Sequence, residues 1–261
     1  MLEKKAILVV SFGTSYRQSL EENIGAVERY IADSYPDYEI RRAFTSQMVI
    51  DKIKRRDEVS IDNMEEAMNR LVKDGFDHLV IQPTHVMNGC EYDKMMAAAA
   101  PYEDRFASVK YGNPLLGEEK DYDSLIQILL NETESFQKEQ TAFVCMGHGT
   151  EHHANEVYER LNVQLRKSGH FNYYIGTVEA TPTLEDVIAE VKKEDYKRVV
   201  LLPLMIVAGD HANNDMAGDE EDSWKTAFIS EGYEVECMLK GMGSYKGVQE
   251  MFLSHVTAAM Q

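Results

Sequence analysis

The chain has 261 residues, of which 44% are hydrophobic, so it is long enough to bury the core of one large domain or of two small ones. Its formal net charge of −18 at pH 7 argues against a nucleic-acid partner, because nucleic-acid binding depends on Lys and Arg side chains that neutralise phosphates. No stretch is apolar for long enough to span a bilayer, so we expect no membrane partner.

The first residues, MLEKKAILVVSFG, contain a short apolar run that ends in a turn, which favours a first strand over a signal peptide. The three cysteines, Cys90, Cys145 and Cys237, lie far apart and show no spacing typical of a zinc finger or a disulfide framework. Together, these two features predict a reduced, cytoplasmic location.

Apolar, β-rich runs alternate with amphipathic stretches such as SLEENIGAVERYIADS, whose apolar residues recur at helical spacing. This βαβα order is typical of parallel sheets covered by helices on both faces, and it predicts an α/β fold. The predicted strands, in chain order, are Ala6–Ser11, Tyr38–Phe44, His78–Pro83, Ser108–Tyr111, Thr141–Met146, Asn172–Val178, Arg198–Leu204 and Glu234–Met238.

An internal repeat divides these strands into two sets of four. The Gly-Thr pairs of AILVVSFGTSY and TAFVCMGHGTEH align, and VIQPTHVMNGCEY aligns with VLLPLMIVAGDHA. Between them, YEIRRAFTSQMVIDKI from Tyr38 aligns without gaps on YYIGTVEATPTLEDVI from Tyr173. Three matches in the same order predict two similar domains, each a four-stranded parallel sheet flanked by helices.

The repeat also allows a comparison of the side chains that follow the strands, where open α/β sheets bind their ligands. The second half has His, Glu and His at three strand ends, whereas the first half has two phenylalanines and one glutamate. This contrast predicts that the reactive residues of the site lie in the second half. The first half is predicted to provide an apolar surface that fits the ligand. The matched pairs are Phe12 with His148, Phe44 with Glu179, and Glu91 with His211.

His148, Glu179 and His211 are candidates for a metal site, since two histidines and a carboxylate suit Zn, Co, Ni or Fe. Structural explanations also exist: His148 could be a hydrogen-bonded ring in the tight turn MGHGT, and Glu179 could support the N-terminus of a helix that starts near Pro182. His211 lies in GDHANND, whose Asp and Asn side chains can cap the next helix, and one of them can orient the ring.

The first half offers further polar candidates in SFGTS and PTHVMNGCEYDK. SFGTS resembles a small cradle for a phosphate or carboxylate, but it matches neither a Walker A loop nor GxGxxG, so no nucleotide cofactor is predicted. His85 could face a ligand or could be a core histidine. Glu91 could act in the site or could be an acidic residue of a first helical turn.

Five motifs resemble those of the anaerobic sirohydrochlorin cobaltochelatase family of cobalamin biosynthesis, and the resemblance covers nearly the whole chain. They are ILVVSFGTSY, RAFTS, NGCEYDK, MGHGTEHHA and PLMIVAGDHANNDMAGDEEDSWK, of which the last is the most specific. The resemblance implies a class II chelatase with two α/β domains and a cleft between them for the tetrapyrrole. It implies an N-terminal domain of residues 1–118 with 245–261, and a C-terminal domain of residues 119–244.

The resemblance also implies an ATP-independent lyase that inserts Co²⁺ into sirohydrochlorin, with the metal as a bound substrate and no organic cofactor. The family's metal-site residues fall on His148, Glu179 and His211, and the residues expected to be catalytic are the two histidines and Glu91. The residues expected to contact the substrate are Ser11, Phe12, Gly13, Thr14, Ser15, Phe44, Thr45, Ser46 and His85.

Two alternatives from other classes stay open at this point. A zinc-dependent hydrolase could use the same His/Glu/His set with a metal-bound water, although the HExxH motif is absent. A non-catalytic carrier could bind a tetrapyrrole or a metal without joining them. The sequence does not decide cobalt against iron or nickel, because all three accept these ligands, and it leaves the oligomeric state open.

Overall fold

The computed structural model describes residues 3–261, which form two compact units. Of these residues, the first unit comprises 3–121 and Lys246–Gln261, and the second unit comprises Tyr122–Tyr245. Each unit is built around its own parallel sheet of four strands, so the predicted α/β class is confirmed. Every helix of the described residues is too short or too polar to cross a lipid bilayer.

All eight predicted strands are present, and their ends differ from the predicted ones by at most one residue. The strands are β1 (Lys5–Ser11), β2 (Glu39–Phe44), β3 (His78–Pro83), β4 (Ser108–Tyr111), β5 (Thr141–Gly147), β6 (Tyr173–Thr177), β7 (Arg198–Pro203) and β8 (Glu234–Cys237). The α-helices are α1 (Arg17–Ser19), α2 (Gly25–Ser34), α3 (Gln47–Asp57), α4 (Met64–Lys73), α5 (Cys90–Ala99), α6 (Glu119–Glu132), α7 (Glu156–Lys167), α8 (Leu184–Val191), α9 (Trp224–Ser230) and α10 (Lys246–Met260).

The two sheets share one topology. The strand order is β2-β1-β3-β4 in the first unit and β6-β5-β7-β8 in the second, and all neighbouring strands are parallel. The central strand β5 is buried along its whole length, and β1 is buried from Ala6 onward. Because both faces of these strands are covered, they are continuous apolar runs rather than alternating ones. The shared order agrees with the repeat seen in the sequence.

The hydrogen-bond register of the sheets corrects one part of that repeat. In the first sheet Ile7 pairs with Ile40, and in the second sheet Phe143, which matches Ile7 through the Gly-Thr alignment, pairs with Tyr173. Tyr173 therefore corresponds to Ile40 and not to Tyr38. The ungapped alignment was thus two residues out of register at this strand.

The correction changes which residue matches Glu179. Ser46 donates its backbone N–H to the carbonyl oxygen of Phe12 at 3.2 Å, and Glu179 donates to the carbonyl oxygen of His148 at 2.8 Å. Since Phe12 and His148 occupy matched positions, Glu179 corresponds to Ser46 rather than to Phe44. At this position the first unit therefore has a hydroxyl group, and not an aromatic ring, where the second unit has a carboxylate.

The last helix, α10, belongs to the first unit, where it packs against α2 and β3. His255 on this helix is 3% exposed, and its Nδ1 lies 3.1 Å from the carbonyl oxygen of Asn113. Its Nε2 lies 3.2 Å from Oδ1 of Asp121, which is in the first turn of α6. These two buried contacts help to hold α10 on the first unit.

Candidate metal centre

Three side chains that follow strands of the second unit form a group that could hold a metal ion. One donor atom from each of His148, Glu179 and His211 lies within 4.8 Å of the others. The two imidazole rings are perpendicular with centroids 4.7 Å apart, and His148 Nδ1 lies 3.7 Å from Glu179 Oε2. The three side chains are 46%, 55% and 33% exposed, so the group is open to solvent and an ion could reach it.

Strand β5 leads directly to His148, and the glycines on either side shape the turn. A Cβ atom at Gly147 would lie 2.3 Å from the ring of Tyr158, so only glycine lets this ring pack under the strand end. Gly149 has a φ of 85°, and its N–H donates to the Tyr158 hydroxyl at 3.4 Å. Burial raises the pKa of Tyr158 to about 12, which keeps the phenol protonated under the histidine-bearing turn.

Glu179 is placed by two backbone hydrogen bonds that extend the sheet beyond β6. Val178 and Glu179 donate their N–H groups to the carbonyls at the end of β5, at 3.0 and 2.8 Å. The alternative role of Glu179, as support for the next helix, is filled by other residues. Thr183 is the N-cap of α8, and Asp186 completes a capping box with it. Glu179 is therefore not needed to cap the helix, and its carboxylate lies beside the imidazole rings.

His211 follows β7 at the start of a π-helical turn, Ala212–Met216. Such turns are uncommon and occur frequently at functional sites. Asp215 lies four residues after His211, and its Oδ2 is 2.7 Å from His211 Nδ1. The expectation that one acidic residue of this segment orients the ring agrees with this contact.

The other polar side chains of the GDHANND segment hold the loop instead of capping a helix. Asn213 Nδ2 donates to the carbonyl oxygen of Gly209 at 2.7 Å, and Asn214 Nδ2 donates to Asp210 Oδ1 at 3.1 Å. The next α-helix, α9, is capped by Ser223. The expectation of a helix cap in this segment was therefore wrong, because the chain enters the π-helical turn without a side-chain cap.

The hydrogen-bond partners determine which ring nitrogen of each histidine is available. His148 Nδ1 lies 2.8 Å from the carbonyl oxygen of Gly149, which can only accept, so Nδ1 carries the hydrogen. The carboxylate of Asp215 accepts from His211 Nδ1 in the same way. In this tautomer the lone pair of each ring is on Nε2, the atom that can bind a metal or accept a proton.

Two further residues support the centre and were not predicted. Tyr158 packs under Gly147, as described above. Asn155 accepts from the N–H of Thr150 at 3.0 Å and donates to the carbonyl oxygen of Thr181 at 2.8 Å, which joins the loops that follow β5 and β6. In the sequence, Tyr158 has the spacing of an ordinary core residue and Asn155 lies in no motif, so no signal marked either of them.

In the first unit, the two phenylalanines predicted to contact the substrate differ in exposure. Phe12 is 45% exposed at the position that matches His148, so its ring is accessible to a ligand. Phe44 is fully buried, and its ring packs so closely on Gly13 that a Cβ atom there would lie 2.5 Å away. Phe44 does not present the expected apolar surface, because it is the last residue of β2 and turns into the core.

The hydroxyl groups predicted to form a cradle are engaged within the first unit. Ser11 Oγ lies 2.7 Å from Thr84 Oγ1, and Ser46 caps α3 by accepting from the N–H of Val49. The hydroxyl groups of Ser11 and Ser46 therefore have partners within the first unit, and a role of either in substrate contact stays a prediction. Ser11, Thr14 and Ser15, the hydroxyl residues of the predicted SFGTS cradle, are buried, and so is Ser46 of the neighbouring substrate-contact candidates.

A second polar group lies at the strand ends of the first unit. Glu91 Oε1 is 2.7 Å from Lys94 Nζ in the first turn of α5. Burial by itself raises the pKa of the Glu91 carboxyl, but the Lys94 ammonium, the Thr45 hydroxyl and His85 outweigh it and hold that pKa below its usual value. Burial lowers the pKa of His85 to about 4, so its ring is neutral near pH 7. The alternative that His85 is a hydrogen-bonded core histidine was therefore wrong, since both ring nitrogens lack a hydrogen-bond partner among residues 3–261.

Comparisons of the sequence with known proteins point to one family. Residues 5–261 match the family described as cobalt chelatase (CbiK). A relative from Salmonella typhimurium, named sirohydrochlorin cobaltochelatase, is 40% identical over 257 residues, which are 98% of this chain and 97% of the relative. A relative from Nitratidesulfovibrio vulgaris, named sirohydrochlorin cobaltochelatase CbiKC, is 31% identical over 261 residues, which are 99% of this chain and 92% of the relative.

Solved structures of similar fold include two chelatase-type proteins. SirB from Bacillus subtilis, solved with Fe³⁺, has a TM-score of 0.65 and 16% identity, over 98% of this chain and 95% of SirB. CbiX, described as the terminal enzyme of sirohaem biosynthesis in denitrifying bacteria, has a TM-score of 0.58 and 15% identity, over 98% of this chain and 100% of CbiX. At these identities the likeness concerns the fold.

Proposed function

We infer the function from one premise: the chain belongs to the cobalt chelatase family CbiK. We propose that it is a metal chelatase that inserts Co²⁺ into sirohydrochlorin to give cobalt-sirohydrochlorin, a step of anaerobic cobalamin biosynthesis. Both relatives named above carry the name sirohydrochlorin cobaltochelatase and align over nearly the whole chain. The structural observation that supports the proposal most directly is the group of His148, Glu179 and His211.

The proposed reaction exchanges one divalent cation for two protons, so its charges balance without ATP. Two pyrrole N–H bonds of the macrocycle break, the macrocycle nitrogens bind the metal, and two protons pass to solvent. The protein must therefore do three things: hold the ion, accept protons, and bind the tetrapyrrole so that its nitrogens meet the ion. The metal is a substrate in this scheme.

The three ligands suit an ion that is held only for a time. Neutral imidazoles bind first-row divalent cations, and the carboxylate of Glu179 offsets part of the charge. A structural zinc site closes four protein ligands around the ion, whereas this group offers three partly exposed ones. We infer that the incomplete ligand set leaves room for macrocycle nitrogens to replace protein ligands.

Proton acceptance is assigned to the same histidines and to Glu91. Once the ion has passed to the macrocycle, the Nε2 lone pairs of His148 and His211 are free to accept pyrrole protons, a task that imidazole performs well near neutral pH. Glu91 of the first unit is proposed as a further proton acceptor. Phe12 is proposed as an apolar surface against the macrocycle, and the exposure of its ring supports that role.

We also propose that the chain acts in the cytoplasm. Cys90, Cys145 and Cys237 are all free thiols in the structure, and free thiols suit a reducing compartment.

The proposed function can be tested with purified protein under anaerobic conditions. Sirohydrochlorin and Co²⁺ are mixed with and without the protein, and insertion is followed by visible absorption; Fe²⁺ and Ni²⁺ replace Co²⁺ in parallel. We expect the protein to accelerate Co²⁺ insertion. A spectral shift without metal insertion would identify a carrier, and no response to the tetrapyrrole would favour the hydrolase alternative.

The contact between His211 and Asp215 leads to a prediction about metal affinity. Asp215→Asn removes the negative charge that keeps the hydrogen on His211 Nδ1, so Co²⁺ affinity should fall by at least about 10-fold. The affinity is measured without tetrapyrrole, by titration of Co²⁺ against its visible absorption. Asp195→Asn, an exposed aspartate just before β7 in the same unit, is the matched control and should leave the affinity unchanged. Equal affinities for Asp215→Asn and the unaltered protein would show that Asp215 does not position the ring.

A further inference from the structure

The first unit contains a helix, α3, that interrupts the repeat between the two units. Its neighbour α4 corresponds to α8, because α4 shares a core cluster with alternate residues of β1 and α8 shares one with the matching residues of β5. Both helices also begin with a capping box, at Asn63 and at Thr183. Sixteen residues separate Asn63 from Ser46, whereas only three separate Thr183 from Glu179, which matches Ser46. Helix α3 is therefore an insertion in the first unit.

Both ends of the insertion are held at the carboxyl ends of β1 and β2, the edge at which open α/β sheets bind their ligands. The N–H of Ser46, which precedes α3, donates to the carbonyl oxygen of Phe12 at 3.2 Å. Beyond the helix, the carbonyl oxygen of Asp62 accepts from the N–H of Phe44, the last residue of β2, at 3.0 Å. The insertion thus begins and ends at one edge of the sheet, next to Phe12, whose ring is exposed.

Helix α3 carries different side chains on its two faces. Its buried residues are Val49, Ile50 and Ile53. The opposite face carries Met48, Lys52 and Arg55, whose spacing of i, i+4 and i+7 places them in one stripe. All three are exposed, and Met48, at 72%, is the only exposed methionine among residues 3–261. An apolar side chain followed by two cations suits a ligand that has both apolar and anionic groups.

The charge of this helix differs from that of the rest of the chain. Four of the five residues 52–56 are Lys or Arg, although the net charge of the protein is −18. The Nη2 atoms of Arg17 and Arg56 each lie 2.5 Å from an oxygen of Asp57, which ties the end of α3 to the segment that follows β1. Lys52 and Arg55, in contrast, pair with none of residues 3–261, so both cations are free to bind an anion.

We propose that α3 recognises the tetrapyrrole, with Lys52 and Arg55 bound to carboxylates at the rim of the macrocycle and Met48 packed on its face. This inference rests on the proposed function, in which sirohydrochlorin is the substrate. Its macrocycle has an apolar face and carries carboxylates on flexible arms. A methionine side chain adapts to such a face because it is unbranched and polarisable. The two cations lie about 6 and 10 Å beyond Met48 along the helix, where rim carboxylates can reach them.

The stripe also resolves a conflict between the charge of the protein and that of its substrate. A strongly acidic protein repels a ligand that carries many carboxylates. Local cations at the ligand-binding edge offset this repulsion, and only the first unit has the insertion that provides them. Specificity for an acidic tetrapyrrole is thus assigned to the unit that lacks the metal ligands.

The first experiment measures sirohydrochlorin affinity without metal, by absorption titration at low and at physiological ionic strength. Lys52→Gln combined with Arg55→Gln should weaken binding about 10-fold at low ionic strength, the combined effect of two exposed ion pairs. The loss should shrink as salt is added, because salt screens exposed charges. The matched control combines Lys192→Gln with Lys193→Gln, two exposed lysines after α8, at the opposite end of the strands. It removes the same charge and should leave the affinity nearly unchanged.

The second experiment observes Met48 directly. The protein is labelled with ¹³C at its methionine methyl groups, and metal-free sirohydrochlorin is added. The ring current of the macrocycle should shift the Met48 methyl signal more than that of any other methionine, whereas the signal of Met68, which is fully buried in the core, should stay in place. Met48→Leu removes one signal and so assigns it, and this variant should keep most of the affinity because it keeps an apolar side chain.

The outcomes separate this inference from the proposed function. Equal affinities of the two double variants, or a Met48 signal that does not move when sirohydrochlorin binds, would overturn the role of α3 and leave the chelatase function intact. Tight binding that depends on Lys52 and Arg55, without Co²⁺ insertion, would overturn the proposed function alone. If the unaltered protein does not bind sirohydrochlorin, both are wrong.

Discussion

Replacing His211 with alanine is expected to lower the rate of Co²⁺ insertion by at least about 100-fold, because it removes both a metal ligand and a proton acceptor. The side chain is 33% exposed, so its truncation leaves no buried cavity, and the fold should persist. Co²⁺ affinity without tetrapyrrole should fall as well, since the remaining pair, His148 and Glu179, offers only two ligands. The insertion rate is followed by the visible absorption of the tetrapyrrole, and the fold by circular dichroism.

His148→Ala should have an effect of similar size, for the same reason. The double variant should lose little more than either single variant, because ligands that act as one unit are not additive. His170→Ala is the matched control: it lies in the second unit before β6, at the opposite end of the strands from the metal centre. Nearly unchanged insertion by either variant at the centre, or an equal loss in His170→Ala, would contradict the assignment of the metal site.

The two units share a topology and differ in what their strand ends carry. Where the second unit has His148, Glu179 and His211, the corrected register gives Phe12, Ser46 and Glu91 in the first unit. One unit therefore offers nitrogen and oxygen ligands, and the other offers a ring, a helix-capping hydroxyl and one carboxylate. The same fold can thus supply metal ligands in one copy and other functions in the other, because function depends on the side chains placed at a site and not on the fold itself.

The fold could be predicted from the sequence because each strand and its ends are marked by residues that are close together in the chain. Buried parallel strands are continuous apolar runs, and Gly, Pro and polar residues mark their ends, as in LLPLMIVAGDH. His148 and His211 could be chosen for the same reason, since His148 directly follows a strand between two glycines and His211 lies in the glycine-containing turn after another strand. Their convergence followed from the rule that the carboxyl ends of parallel strands lie at one edge of a sheet.

The parts that could not be predicted depend on register and on side-chain partners. A shift of two residues keeps every side chain of a strand on the same face, so the apolar pattern could not reveal that Tyr38 had been matched to the wrong position. The displaced alignment made Phe44, which is buried, appear to be the counterpart of Glu179 in place of Ser46. Likewise, no pattern in SFGTS shows that its hydroxyls turn inward, since that depends on residues distant in sequence, such as Thr84.

Replacing Gly149 with alanine is expected to destabilise the second unit and to weaken the metal centre together. Gly149 has a φ of 85°, where a side chain costs about 1–2 kcal/mol, and a Cβ atom would also lie 2.8 Å from the backbone nitrogen of Ala180 and 2.9 Å from Thr177 Cβ. Relief of that overlap must move the segment that carries Glu179 away from His148. We therefore expect a total loss of about 3 kcal/mol in the free energy of unfolding.

Gly169 separates the two contributions, because it has the same φ of 85° and nothing lies within 4 Å of its Cβ position. Gly169→Ala should cost only the backbone term of about 1–2 kcal/mol and should leave Co²⁺ affinity intact. Both variants are compared by urea denaturation and by Co²⁺ titration. Equal losses of stability would mean that backbone conformation alone requires glycine at position 149. A larger loss in Gly149→Ala, joined to a loss of Co²⁺ affinity, would show that close packing of the β5 and β6 strand ends holds His148 and Glu179 in place.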